Sequence, residues 1–170
     1  MLDKKVATLL NEQIMQELYS AYLYLDMADY YGDKGLEGFE NWFYIQAQEE
    51  RDHAMLFRKY LLNNGEKVTL LPIKAPEENY TGHDVPLKRA LEHEKVVTGL
   101  INTIYDAALT VKDFRTMEFL NWFVKEQMEE EKNADTNITK YELVKDGSGL
   151  YVLDQELAAR VYSAPTLVLD

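Results

Sequence analysis

The sequence predicts an all-α fold: four long amphipathic helices forming a bundle, then a short fifth helix. Three observations lead there. Apolar residues recur at helical, not alternating, spacing through four long stretches. Short turn signals join the first stretch to the second and the third to the fourth, which makes each pair antiparallel neighbours. The one long connection falls between the second and third stretches.

In the first helix, about residues 3–31, the stripe is Val6, Leu10, Ile14, Leu18, Ala21, Leu25 and Ala28. Asp3 suits the N-cap and Gly32 the stop. Glu12, Gln16, Tyr19, Asp26 and Tyr30 take the opposite face, while Glu17 projects between Leu10 and Tyr24 inside the apolar arc. Alone, such a Glu reads as a boundary residue that snorkels to water.

The second helix, about residues 36–63, ends at Asn64-Gly65 and contains Gln46-Ala47-Gln48-Glu49-Glu50-Arg51-Asp52-His53. At 100° per residue, Glu50 and His53 share a face with Phe39, Phe43, Ala54, Phe57 and Leu61. A carboxylate and an imidazole facing a core are costly unless paired or coordinated. One Glu-x-x-His proves little, since chance supplies roughly 0.3 such spacings in a chain of this composition.

Residues 66–82 carry Pro72 and Pro76 without helical periodicity. About 17 residues can extend some 55 Å, and a bundle of such helices is about 40 Å long. One long crossover between the second and third helices is therefore possible, with a mobile lid as the competing reading.

The third helix, about residues 84–110, has the stripe Leu87, Ala90, Leu91, Val97, Ile101, Tyr105 and Ala108, interrupted by Glu94. His93 points about 100° away and reads as a surface or boundary residue. The fourth helix, about residues 114–141 with Asp113 as N-cap, has Leu120, Phe123, Ala134, Ile138 and Tyr141 inside. Gln127 and Glu130 interrupt that stripe, and Glu126 and Glu129 flank it within an acidic run that alone reads as a solvated face. Gly147-Ser148-Gly149 precedes a short helix, about residues 150–162, and an extended tail, 163–170. The short helix can pack on its own bundle or on a neighbour's. The whole of 1–170 reads as a single domain.

The bulk numbers narrow the function classes. The formal charge of −12 argues against nucleic-acid binding and is compatible with the attraction of cations, although for charge alone a solubilising surface is the better explanation. The absence of Cys excludes disulfides, thiolate catalysis and thiolate-held metals. The chain starts directly into amphipathic sequence, and no apolar run approaches the roughly 18 residues of a membrane span. A cytoplasmic protein without membrane contact is expected.

Each core-facing polar group has an ordinary structural explanation when taken singly. Four sets at similar depth do not: Glu17; Glu50 with His53; Glu94; Gln127 with Glu130. Several carboxylates desolvated together repel one another. They must share protons or bind cations, and carboxylate-plus-imidazole sites suit iron, manganese or zinc.

At these residues the chain resembles the non-haem bacterial ferritins, heavy-chain-like members of the ferritin-like di-iron carboxylate family. The marks are Asn11-Glu12-Gln13 through Glu17, Tyr24, Glu49-Glu50-Arg51-Asp52-His53, Glu94, and Lys125-Glu126-Gln127 with Glu129 and Glu130. The likeness runs over the whole chain, including the short last helix. It implies a ferritin-like four-helix bundle with the crossover, and a ferroxidase centre for two iron ions. One iron would be held by Glu17, Glu50 and His53, the other by Glu50, Glu94 and Glu130, with Glu50 bridging. Gln127 would be an outer or water-holding residue, and Tyr24 a phenol that hydrogen-bonds the site. Glu49, Glu126, Glu129 and Glu130 would match a third iron site. The implied activity is oxidation of Fe²⁺ by O₂ or peroxide, with ferric oxide stored inside a 24-subunit shell whose short fifth helices pack around the four-fold axis.

Departures from relatives sharpen the resemblance. Bacterioferritins carry a second Glu-x-x-His where this chain has Gln127-x-x-Glu130, and a haem-ligating Met where it has Arg51; haem is not expected. The cysteine-bound iron module of rubrerythrins is excluded. Mini-ferritins lack a matching fifth helix, and light-chain ferritins lack the oxidation site. A di-metal oxygenase or peroxidase and a non-catalytic bundle are the alternative functions.

Overall fold

The computed structural model describes residues 2–76, 78–145 and 147–169. Asp170, the end of the expected tail, and Glu77, within the connection, lie outside them. Among the described residues five helices follow in order: α1 (Lys4–Asp33), α2 (Glu37–Asn63), α3 (Asp84–Thr110), α4 (Phe114–Val144) and α5 (Gly149–Ala158).

Caps and left-handed turns set the helix ends. The Asp3 carboxylate accepts from the Lys5 amide, and that of Asp113 from the Thr116 amide. The α1 stop differs from expectation: the helix continues through Gly32, and the chain turns at Gly35, whose φ of 71° suits a residue without Cβ. Gly65 does the same after α2, with φ 73°.

Residues 66–83 form the crossover. At its start the Glu66 carboxylate accepts from the Leu2 amide, and the Thr69 amide donates to Asn11. At its end the Tyr31 hydroxyl donates to the His83 carbonyl at 2.5 Å. The segment therefore travels from one end of α1 to the other, as a crossover requires. As a result α3 runs antiparallel to α1 and parallel to α2.

The helix pairs α1–α2 and α3–α4 pack most closely, while the α2 and α4 backbones stand farther apart. Aromatic rings fill that wider seam. Tyr60 stacks on Phe119 with ring centroids 4.1 Å apart, and Phe57 meets Phe123 at 4.3 Å. One apolar cluster around Phe57, Leu61, Ile101 and Phe119 fills one end of the bundle, and another around Tyr24, Tyr31, Phe39 and Phe43 fills the other. The polar groups on the four stripes lie between them.

Leu25 was expected inside but is 37% exposed, whereas Leu23 and Met27 are buried. Leu18, Tyr22, Leu25, Tyr44 and Ile73 instead line an apolar groove of ≈ 470 Å³ on the α1–α2 face.

α5 docks on its own bundle, against α2 and α4. Asp154 Oδ1 accepts from the Gly38 and Phe39 amides at 2.8 and 3.1 Å, capping an α2 N-terminus that has no cap from its own neighbours. The helix ends at Ala158, short of the expected 162. Beyond it the chain turns along α2, where the Asn41 side-chain amide donates to the Leu157, Ala158 and Arg160 carbonyls.

Candidate metal centre

Glu17, Glu50 and His53 are buried at mid-bundle, with one potential ligand atom from each lying within 4.8 Å of the others. His53 Nδ1 stands 3.5 Å from Glu50 Oε2. His53 also belongs to a second such group, with Glu126 and Glu130. Two potential cation positions thus share one imidazole.

Glu17 and Glu50 have the same local support. A glutamine one turn earlier on each helix donates its amide: Gln13 to Glu17 Oε1 at 2.9 Å, and Gln46 to Glu50 Oε1 at 3.2 Å. Among the described residues Glu17 Oε2 is buried with no hydrogen-bond partner. Facing a second carboxylate and an imidazole, that oxygen is available to a proton shared with Glu50 or to a cation.

Glu94 stands apart from that trio, and Glu130 adjoins it through His53 and Gln46. The Tyr24 hydroxyl donates to Glu94 Oε1, and the Gln127 amide donates to Glu94 Oε2 at 3.0 Å. Glu130 Oε2 accepts from Gln46 at 2.8 Å. Glu94 joins neither cation-sized group among the described residues. Glu49, Glu126, Glu129 and Glu130 line one cavity of ≈ 270 Å³ beside His53, closed on one side by Ser163–Thr166 of the tail.

Burial sets the protonation pattern. It pushes the Glu17 carboxyl well up, with the facing Glu50 charge adding to it. Glu130 is raised in the same way, by burial and then by the Glu94 and Glu50 charges. Burial and Glu50 bring Glu94 up to about 8. Burial also works against charge on Glu50 and His53, but their mutual hydrogen bond and attraction outweigh it. The Glu50 carboxyl is held below its usual range and His53 is raised to about 10. The centre therefore favours one ion pair, Glu50 with His53, among acids that burial biases toward their protonated forms. Divalent cations can replace those protons, which is how a carboxylate site couples metal binding to proton release.

Three participants escaped the sequence reading. Gln46 and Gln13 carried a signal, a Gln-x-x-x-Glu spacing repeated on the first two helices. Arg160, from beyond α5, carried none; it reaches Gln46 Oε1 at 2.9 Å and Glu49 Oε2 at 2.5 Å. His93 is a correction. It is buried, 2.7 Å from Ser20 Oγ and edge-on to Tyr19 and Tyr24. Burial lowers it to about 4, so it is a neutral core imidazole. The helix-wheel angle placed it off the α3 stripe, but α1 packs over that flank.

Comparison with known proteins agrees with this architecture. The family described as the ferritin-like domain matches residues 7–144. A bacterial non-heme ferritin of Campylobacter jejuni is 40% identical over 156 residues, covering 91% of this chain and 93% of its own. A bacterial non-heme ferritin of Staphylococcus epidermidis is 37% identical over 164 residues, covering 96% and 99%. Among solved structures, a closed form of the Archaeoglobus fulgidus ferritin engineered by site-directed mutagenesis superposes with a TM-score of 0.93. It is 38% identical, covering 96% of this chain and all of the other. The open-pore ferritin of the same archaeon superposes at 0.92, with 39% identity and coverage of 94% and 98%.

Proposed function

The chain belongs to the ferritin family, and we propose that it stores iron as a ferroxidase, oxidising Fe²⁺ with O₂ or peroxide at a di-iron centre. The observation that carries this reading is the buried Glu17, Glu50 and His53 trio with its open oxygen at Glu17. A hard oxygen-rich set with one imidazole suits Fe²⁺ and also the Fe³⁺ that follows it.

Glu17, Glu50 and His53 would hold the first iron, and Glu50, Glu94 and Glu130 the second, with Glu50 shared. Each iron gives up one electron, and two electrons reduce O₂ to peroxide. The residues' part is to exchange protons for cations. Glu17, Glu94 and Glu130 release theirs as Fe²⁺ arrives, which favours the more highly charged ferric product. Gln127 holds Glu94 for this exchange, and Tyr24 donates a hydrogen bond to the same carboxylate. Glu49, Glu126, Glu129 and Glu130 would receive a third ion in the cavity beside His53.

Storage requires a container, and the proposed one is a closed 24-subunit shell. Two surfaces support self-association. The α1–α2 groove gathers Leu18, Tyr22, Leu25, Tyr44 and Ile73 into one apolar surface that a copy could cover. α5 leaves Tyr151 and Val152 69% and 67% exposed, as a helix meeting symmetry copies around an axis would. Among the described residues no helix is long and apolar enough to cross a membrane, and a cytoplasmic location fits the proposal.

The test is to load metal-free protein with Fe²⁺ under anaerobic conditions, admit O₂, and pass the product through a sizing column. Iron should elute with a large assembly. Iron eluting apart from it would end the storage reading.

A further inference from the structure

We propose that Arg160 is a tethered cation that competes with the third metal ion for the outer carboxylates. The inference rests on the metal-binding reading above and adds a residue that reading does not contain.

The segment after α5 is strapped along successive turns of α2. Arg160 Nη1 donates to the Trp42 carbonyl at 3.0 Å, and its guanidinium lies 4.4 Å from the Trp42 ring centre. Nη2 donates to Gln46 and Glu49. Two residues on, the Tyr162 hydroxyl donates to Asp52, and farther along Thr166 accepts from Trp122 Nε1 at 2.9 Å. The guanidinium is therefore fixed in the lining of the cavity that gathers Glu49, Glu126, Glu129 and Glu130. Among the described residues it is the only Lys or Arg lining that cavity.

A guanidinium does not give up its proton at any working pH, so its charge cannot be removed to make room for a metal. It also differs from a dissolved counter-ion. If Glu49 turns away, the Trp42 carbonyl, the Trp42 ring and Gln46 still hold Arg160 nearby. An ion entering the outer site must take Glu49 from Arg160 and then remain beside a fixed positive charge. Its affinity is lowered without loss of any ligand, so the site passes ions on instead of trapping them.

The experiment uses the assembled, metal-free protein and the redox-inert probe Zn²⁺, with calorimetric titration of wild type, R160Q and R160K. In R160Q the weakest class of ion should bind about tenfold more tightly, a scale expected from removing one nearby charge at a partly screened site. R160K keeps the charge and should stay near wild type. An unchanged or weakened third ion in R160Q overturns the inference, as does R160K behaving like R160Q. Wild type binding no Zn²⁺ would remove the metal-centre reading as well, which separates the two failures.

A second measurement needs no variant. In a crystal of the wild-type shell soaked with Zn²⁺, Glu49 should leave Arg160 and turn to the third ion. An occupied outer site with the Glu49–Arg160 bond intact would refute the competition.

Discussion

Gln46 and Glu130 are joined across the α2–α4 seam by a 2.8 Å hydrogen bond, and the same amide donates to Glu50. The amide cannot turn over, because Arg160 only donates and therefore requires Gln46 Oε1 on its side. One glutamine thus positions two carboxylates that the proposed di-iron centre needs. Replacing it with Met keeps the volume and removes the donor. For Gln46→Met, the initial rate of Fe²⁺ oxidation should fall by about tenfold, the lower end of effects from residues that orient ligands. Stopped-flow absorbance at two Fe²⁺ per subunit reads this directly, and an unchanged rate would show that Glu50 and Glu130 need no such support.

Glu94 stands apart from the Glu17, Glu50 and His53 trio, held by Tyr24 and Gln127. Glu94→Ala should therefore spare the first ion and lose the second. Zn²⁺ titration should fall from two strong ions to one, with rapid oxidation suppressed and assembly intact. His53→Ala should weaken the first ion instead, and Glu50→Ala both. Equal loss of both ions in Glu94→Ala would contradict the assigned roles.

The metal-free centre should make stability depend on pH in an unusual direction. Glu94 titrates at about 8 in the fold against 4.5 for an ordinary carboxyl, because burial and the Glu50 charge favour its neutral form. Between those values the folded chain keeps a proton that the unfolded chain has lost. This contribution is full below about 4.5 and disappears as pH rises through 8. His53, raised from 6.5 to about 10 by Glu50, acts in the same sense over its own window. The metal-free protein should melt at a lower temperature at pH 9 than at pH 6. Zn²⁺ replaces the retained protons, so the gain in melting temperature on adding it should widen over the same interval. Calorimetric melts at both pH values, with and without Zn²⁺, check the sign; a metal-free melt that rises with pH would contradict it.

The bundle was legible because its signal is periodic: four stripes, two short turns and one long connection allow few arrangements. The depth of Glu17, Glu50, His53, Glu94, Gln127 and Glu130 was legible for the same reason, since each interrupts an apolar stripe. His93 was not, because its burial depends on the neighbouring α1 and not on the α3 pattern. Arg160 was invisible for a stronger physical reason. Its role comes from a contact 111 residues away along the chain, made by a segment with no periodicity. The end of α5 was misplaced because Val161 continues the apolar pattern while Asn41 captures the last carbonyls and turns the chain.

The docking of α5 turns on one atom-sized space. Asp154 caps α2 from outside its own sequence neighbourhood, and the chain reaches it only because Gly38 has no side chain. A Cβ on Gly38 would lie 1.7 Å from the Asp154 carbonyl oxygen and 2.5 Å from its carbonyl carbon. Backbone atoms cannot swing aside as a flexible side chain can. In Gly38→Ala, therefore, α5 must back away from α2, losing both the cap and the packing of Leu153 and Leu157. Asp154→Ala loses the cap alone, at a cost of about 1 kcal/mol, and should leave α5 seated. Gly38→Ala should cost more, on the order of 3 kcal/mol for a cap plus partly lost apolar burial. It should also expose residues 149–158 to limited proteolysis. Because Arg160 follows directly after α5, displacing the helix should draw the guanidinium off Glu49 too. Gly38→Ala should then tighten the third Zn²⁺ ion as R160Q does, while Asp154→Ala should not. Equal protease resistance in both variants would mean that α5 docks without needing the Gly38 contact.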